Sequence, residues 1–142
     1  MKTNSTMRTL VEKLAKKHSV DFSQPGAHLR LENEPYERLV IENVGRDRVS
    51  IAHYYEQNGD LIADPDIVFK TDALEWYPIE IQQPQIMLMG RVMGGYQHFV
   101  NFGPDDQPVS YNKEQQADCA NFAKQWAHNI REQRWIQDGV KS

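Results

Sequence analysis

Cysteine is nearly absent from this chain: its 142 residues include one, Cys119, so no internal disulfide staples the fold and no multi-cysteine zinc site is available. Long apolar runs are missing as well. No window approaches the ~18 consecutive apolar residues that span a bilayer, and the opening MKTNSTMRTLVEKLAKKHSV lacks the continuous apolar core of a secretory signal. Positive charge is not in excess: 16 Lys and Arg against 20 Asp and Glu leave a formal net charge of −4, which gives the whole chain no electrostatic reason to seek nucleic-acid phosphate. Internal repeats, low-complexity tracts and linkers are lacking. So are a nucleophile elbow, a phosphate-binding glycine loop and a dinucleotide fingerprint. The expectation from these absences is a cytoplasmic protein with no membrane partner, no nucleic-acid partner and no cofactor.

Present instead is an ordinary globular composition, 39% hydrophobic and 25% charged. A chain of this length buries roughly two-thirds of the surface it exposes when unfolded, enough for one core in a single domain over residues 1–142. Met7, Leu10, Val11 and Leu14 recur at i, i+3, i+4 and i+7, which predicts a helix that starts after Asn4 and Ser5 and ends near His18. The basic residues Lys16, Lys17 and His18 suit the carbonyl end of its dipole. From Ala27 the period changes to two. HLRLEN, YERLVIENV and RVSIAHYY read as antiparallel strands joined by turns at Asn33-Glu-Pro35 and Gly45-Arg-Asp47.

The densest stretch is Val49–Phe69, VSIAHYYEQNGDLIADPDIVF. Asn58-Gly59 predicts a type I′ hairpin turn, because both residues tolerate positive φ. Pro65 has no backbone donor and belongs at an edge or bulge. Beyond it, LEWYPIEI and IMLMGRV extend the sheet, with IMLM expected to be buried on both sides and Gly94-Gly95 expected to turn the chain into YQHFVNF. Gly103-Pro-Asp-Asp106 should end the β region. Asn112 then caps a helix running to about Gln133 or Asp138, with Cys119, Phe122, Ala123, Trp126, Ala127 and Ile130 as its apolar stripe and Trp135 off that stripe. The fold class is α+β: one antiparallel sheet of about six or seven strands, with an N-terminal and a C-terminal helix packed on it.

Leu31 through Pro78, containing LENEPYERLVIENVG, VSIAHYYEQNGDLIADPDIVF and WYPI, resembles a bacterial family known as domain of unknown function 6908, and FAKQWAHNIREQRW resembles that family's closing helix. The resemblance implies a setting on plasmids, conjugative elements or phage-related islands. It implies no activity, and no functional residue can be carried over.

The residues themselves point to a recognition surface made of His53, Tyr54, Tyr55, Glu56, Asn58, Asp60, Asp64 and Trp76. Half-exposed Tyr and Trp beside acids are the usual composition of an interface centre. On a strand, His53 and Glu56 fall on opposite faces, so their three-residue spacing aligns no ligand pair. His53 shares a face with Val49 and Ile51 and reads as a hydrogen-bonded sheet histidine. Cys119 on an apolar helix stripe reads as a small hydrophobe. The function expected is therefore non-enzymatic binding of a protein partner. Two alternatives stay open: a divalent-metal hydrolase of a phosphate-containing substrate, with Glu56, Asp60, Asp64 and Asp66 around the ion and His53 as base, and an acidic inhibitor of a defence nuclease.

Overall fold

In the computed structural model, which describes residues 1–142, the first apolar stripe closes into helix α1 (Ser5–His18) and buries Met7, Leu10, Val11 and Leu14, as its spacing requires. Asn4 stands at the N-cap position, but its side chain does not cap. Its Nδ2 donates to the Ala120 carbonyl at 2.9 Å and its backbone N–H donates to the Trp76 carbonyl at 2.8 Å, so it ties α1 to the other end of the chain.

The sheet is built from β1 (His28–Glu32), β2 (Arg38–Gly45), β3 (Arg48–Gln57), β4 (Asp60–Lys70), β5 (Tyr77–Leu88), β6 (Arg91–His98) and a late strand described below. All pairings are antiparallel, and consecutive strands are neighbours from β1 to β6. Register places Leu29, Ile41, Ile51, Ile67 and Ile81 in one row across β1 to β5. Every member of the row is buried, and burying side chains of this size contributes about 1.5–3 kcal/mol each. The helices pack on this face, in one core with Met7, Leu10 and Ile130. The opposite face carries Arg30, Val40, Ala52, Asp66, Gln82 and Tyr96 in one row, with Arg30, Gln82 and Tyr96 exposed.

The Asn58-Gly59 turn forms as expected, with φ of 53° and 86°. Pro65 lies where the β3–β4 register shifts, between the pairs Ala52–Asp66 and Tyr54–Ala63, which is the bulge its missing donor calls for.

Several expectations are corrected. LEWYPIEI and IMLM are not two strands: β5 runs unbroken from Tyr77 to Leu88, and the turn falls at Met89-Gly90, where φ is 52° and 78°. IMLM is not buried on both sides. Ile86, Met87 and Leu88 are 54%, 73% and 54% exposed, because they lie on a hairpin arm beyond the last β4–β5 pair, Asp66–Gln82. Gly94-Gly95 is no turn but the interior of β6, opposite a register shift between Gln83 and Ile86. Glycine is needed there for close approach, since a Cβ on Gly94 would sit 2.2 Å from the Pro84 carbonyl oxygen.

The β region also continues past Asp106: β7 (Val100–Phe102) and β8 (Pro108–Tyr111) form a separate two-stranded ladder. Helix α2 (Lys113–Glu132) is capped by Asn112, whose side chain accepts from the Gln115 N–H at 3.0 Å. Its buried stripe takes Gln116 and Ala120 and leaves Phe122 41% exposed. The chain then breaks at Arg134, with φ of 64°, before the short helix α3 (Trp135–Asp138). Strand β9 (Val140–Lys141) pairs with β1 and completes the seven-stranded sheet.

Candidate functional site

The residues singled out along the β3–β4 hairpin and at Trp76 do not converge on one point. His53 faces the helices. Its ring centroid lies 5.4 Å from that of Trp126, edge-on, and 5.6 Å from that of Trp135. Its Nδ1 is 3.3 Å from the Arg38 carbonyl oxygen. Burial holds the imidazole below its ordinary value near 6.5, with the Arg38 and Glu37 carbonyls opposing the shift. A neutral histidine wedged between two tryptophans is part of the helix–sheet packing.

This burial gives a pH prediction. The unfolded chain takes up a proton near pH 6.5 that the folded chain refuses, so stability is full above that pH and is lost as pH falls from it toward the lower folded value. Urea midpoints measured from about pH 7.5 to 5.5 should decline for the native chain and decline less for His53→Gln. Burial also lowers His18, which contributes in the same direction and remains in the variant as the residual slope.

Trp76 is 9% exposed and packs on Phe69 at 6.3 Å between ring centroids. Asn58 and Asp60 stand exposed at the hairpin turn, and Asp64 lies at the foot of the β5–β6 arm, in a cleft with Gln83, Ile86 and Met93.

Tyr54, Tyr55 and Glu56 do come together. They line a cleft of about 330 Å³ where the β1–β2 connection meets the end of the β3–β4 hairpin, facing Glu32, Glu37 and Arg38. An adjoining cleft of about 260 Å³ on the helix-free face is lined by Arg30, Val40 and Glu42 together with Arg38, Tyr54 and Leu61. Arg38, Tyr54 and Leu61 border both, so the two form one groove that passes over the end of the sheet. Its middle is aromatic and aliphatic, with Leu61 59% exposed. Its rims are charged, and Arg38 Nη2 meets Glu32 Oε1 at 3.2 Å.

Beside the groove, Ser50 Oγ donates to Asp66 Oδ1 at 2.5 Å. Burial raises the Asp66 carboxyl, and the neighbouring Glu42 and Glu80 raise it further, while the Ser50 and Tyr54 hydroxyls oppose the shift. Burial, followed by the Asp66 charge, raises the Tyr54 phenol. Tyr54 is therefore a neutral, half-buried platform at working pH.

The groove holds no nucleophile beside a base. Cys119 is 5% exposed, and burial pushes its thiol up to about 12, which leaves almost no thiolate at neutral pH. Nowhere do three or more His, Cys, Asp or Glu side chains gather so as to hold a metal ion. Glu56 and Asp60 point to the hairpin end, Asp64 to the foot of the arm, and Asp66 to Ser50 on the face opposite His53.

Sequence reasoning missed Arg38, Leu61, Glu32 and Glu37. A signal for Arg38 exists. Counting outward from the turn at Asp47, where φ is 54°, brings Arg38 to within one residue of Tyr54, and the register shift between Asn43 and Gly45 completes the pairing. Leu61 pairs with Glu56 by the same count from Asn58-Gly59.

No helix is long and apolar enough to cross a membrane. A family model described as domain of unknown function (DUF6908) matches residues 5–136. Searches of curated proteins and of solved structures found no match.

Proposed function

We propose that this chain, which belongs to the domain of unknown function 6908 family, is a non-enzymatic accessory protein that binds a protein partner in the groove over Tyr54, Arg38 and Leu61. The supporting observation is the groove itself: an aromatic and aliphatic floor with mixed-charge rims at an open end of the sheet. Half-buried tyrosine with a polar rim is what protein interfaces concentrate at their centres. The setting we propose for this role is a bacterial mobile element, a reading supported by the family resemblance alone.

Neither alternative gains a supporting observation. The acids of the hydrolase reading are spread over separate surfaces, with His53 on the far side of the sheet from Asp66. The acids near the groove alternate with Arg30 and Arg38 and make no continuous stripe that would mimic nucleic acid.

The test is affinity capture from cells of the source, comparing the native chain with Tyr54→Ala and with Leu61→Ser. A specific protein should be retained by the native chain and bound roughly 10- to 30-fold more weakly by Tyr54→Ala. Capture of nothing across several salt concentrations, or equal capture by both variants, would overturn the reading.

A further inference from the structure

The β5–β6 arm, remote from the groove, exposes as much apolar surface as the largest patches that monomers carry. Ile86, Met87, Leu88, Met89, Val92 and Met93 are 49–96% exposed, on the order of 600 Å² of apolar area, at the upper limit for the largest patch on a typical monomer. The register pairs Met87 with Val92 on one face of the arm, and Ile86 with Met93 and Leu88 with Arg91 on the other. At the foot of that face lie two adjoining clefts of about 290 and 330 Å³, both bordered by Gln83. Asp64 lines the first; Ile81, Phe122 and Asp118 line the second.

We infer that this face is a homodimer interface, in which the arms of two copies lie antiparallel across a two-fold axis and each tip seats in the clefts at the partner's foot. Three observations fit a second copy. Reach is the first: Gln83 to Leu88 spans about 17 Å at strand rise, so when two arms lie head to tail each tip falls at the other's foot, which is the reciprocal contact that two-fold symmetry demands. Charge is the second. The arm carries one Lys or Arg, Arg91 at its tip, and the clefts offer Asp64 and Asp118. Area is the third: Ile86, Leu88, Met89 and Met93 offer on the order of 400 Å² of apolar area, and with a comparable area in the clefts they enter, two reciprocal contacts reach the ~1,200 Å² at which specific interfaces begin. Phe122, 41% exposed on the wall of the second cleft, meets the incoming Leu88 and Met89. An anionic bilayer fits less well, since the acids at the foot would face it with like charge.

Sedimentation velocity from low to several hundred micromolar tests the inference. The native chain should shift from monomer to dimer across that range, and Leu88→Glu and Met93→Glu should each weaken association at least tenfold with unchanged circular dichroism. Arg91→Asp and Asp64→Arg should each weaken it, and combining them should restore it. A native chain that stays monomeric throughout, or a dimer that survives Leu88→Glu and Met93→Glu, overturns the interface. So does a monomer that floats with anionic phosphatidylglycerol vesicles. Failure of the combined charge reversal to restore association overturns the tip-to-foot arrangement. Leu88→Glu should still capture the groove's partner as the native chain does, so loss of dimerisation and loss of groove binding are separable results.

Discussion

Trp135→Ala should lower stability by about 3–5 kcal/mol, the range for emptying a buried tryptophan site, and the thermal midpoint by roughly 10 °C or more. Trp135 is 0% exposed and is the keystone of the C-terminal closure. The ring stands 5.6 Å from His53 and 6.4 Å from Tyr36, centroid to centroid, and Nε1 donates to Gln133 Oε1 at 3.0 Å. Its carbonyl accepts from the Gly139 N–H at 3.1 Å, and a Cβ on Gly139 would come within 2.5 Å of that oxygen. The residue therefore fixes the path into β9 as well as filling the core. Trp135→Phe, which keeps an apolar ring, should lose clearly less. Melting followed by far-ultraviolet circular dichroism measures both, and a drop under about 3 °C for the alanine variant contradicts the assignment.

The same residue shows where sequence periodicity fails. Extended as one ideal helix, the C-terminal segment puts Trp135 nearly opposite Trp126, which suggests a surface anchor. The left-handed residue Arg134 resets the phase, and both tryptophans end against His53. A non-glycine residue at positive φ leaves no mark in apolar spacing. What was legible was local and periodic: the α1 stripe, the strand alternation from His28 to Phe69, the Asn58-Gly59 turn, the Asn112 cap and the α+β class. Legibility ends where an apolar run does not mean burial. IMLM has the composition of a core strand, but its neighbour β4 has already diverged when the chain reaches it, so the run projects as an arm. Double glycine misled in a related way, because turns and close backbone approach both call for missing Cβ atoms.

The groove was half legible for a geometric reason. Alternation placed Tyr54 and Tyr55 correctly on opposite faces of β3, but a groove at the end of a sheet draws on both faces and on the connection before β2. Glu32 and Glu37 belong to that connection region, and no pattern within Val49–Phe69 announces them. Asp64 and Asp60, close to Tyr55 in sequence, fall away because the bulge at Pro65 and the hairpin turn send them elsewhere.

Asp106→Ala should be the next most damaging change, at about 2–4 kcal/mol, because it removes the anion that holds two cations together. Asp106 sits in the loop between β7 and β8 and accepts both Arg48 Nη2 at 2.8 Å and Nη1 at 3.0 Å. Lys70 Nζ lies 3.6 Å from its second oxygen and 2.6 Å from Asp72 Oδ1. The Lys70 side chain is 1% exposed and Nζ makes hydrogen-bond geometry with neither acid, so it depends on their charge. Phe102 lies beneath both cations, 4.7 Å from the Arg48 guanidinium carbon and 5.5 Å from Lys70 Nζ. Without Asp106 the β7–β8 ladder loses its clamp to β3, and a buried ammonium keeps one acid. The estimate sits below the full cost of breaking a buried pair because the Asp106 side chain is 30% exposed and water screens part of the loss. The Arg48 hydrogen bonds hold the Asp106 carboxyl down at about 2, from an ordinary 3.8. Its folded value lies below its unfolded one, so its contribution is complete above about pH 4 and disappears as pH falls toward 2. Asp106→Asn keeps the size of the side chain and removes the titration. Urea midpoints should then be lower than native near neutrality and converge with native as pH approaches 2. Parallel curves across that range would show that the clamp works through shape alone and that the charge on Asp106 contributes nothing.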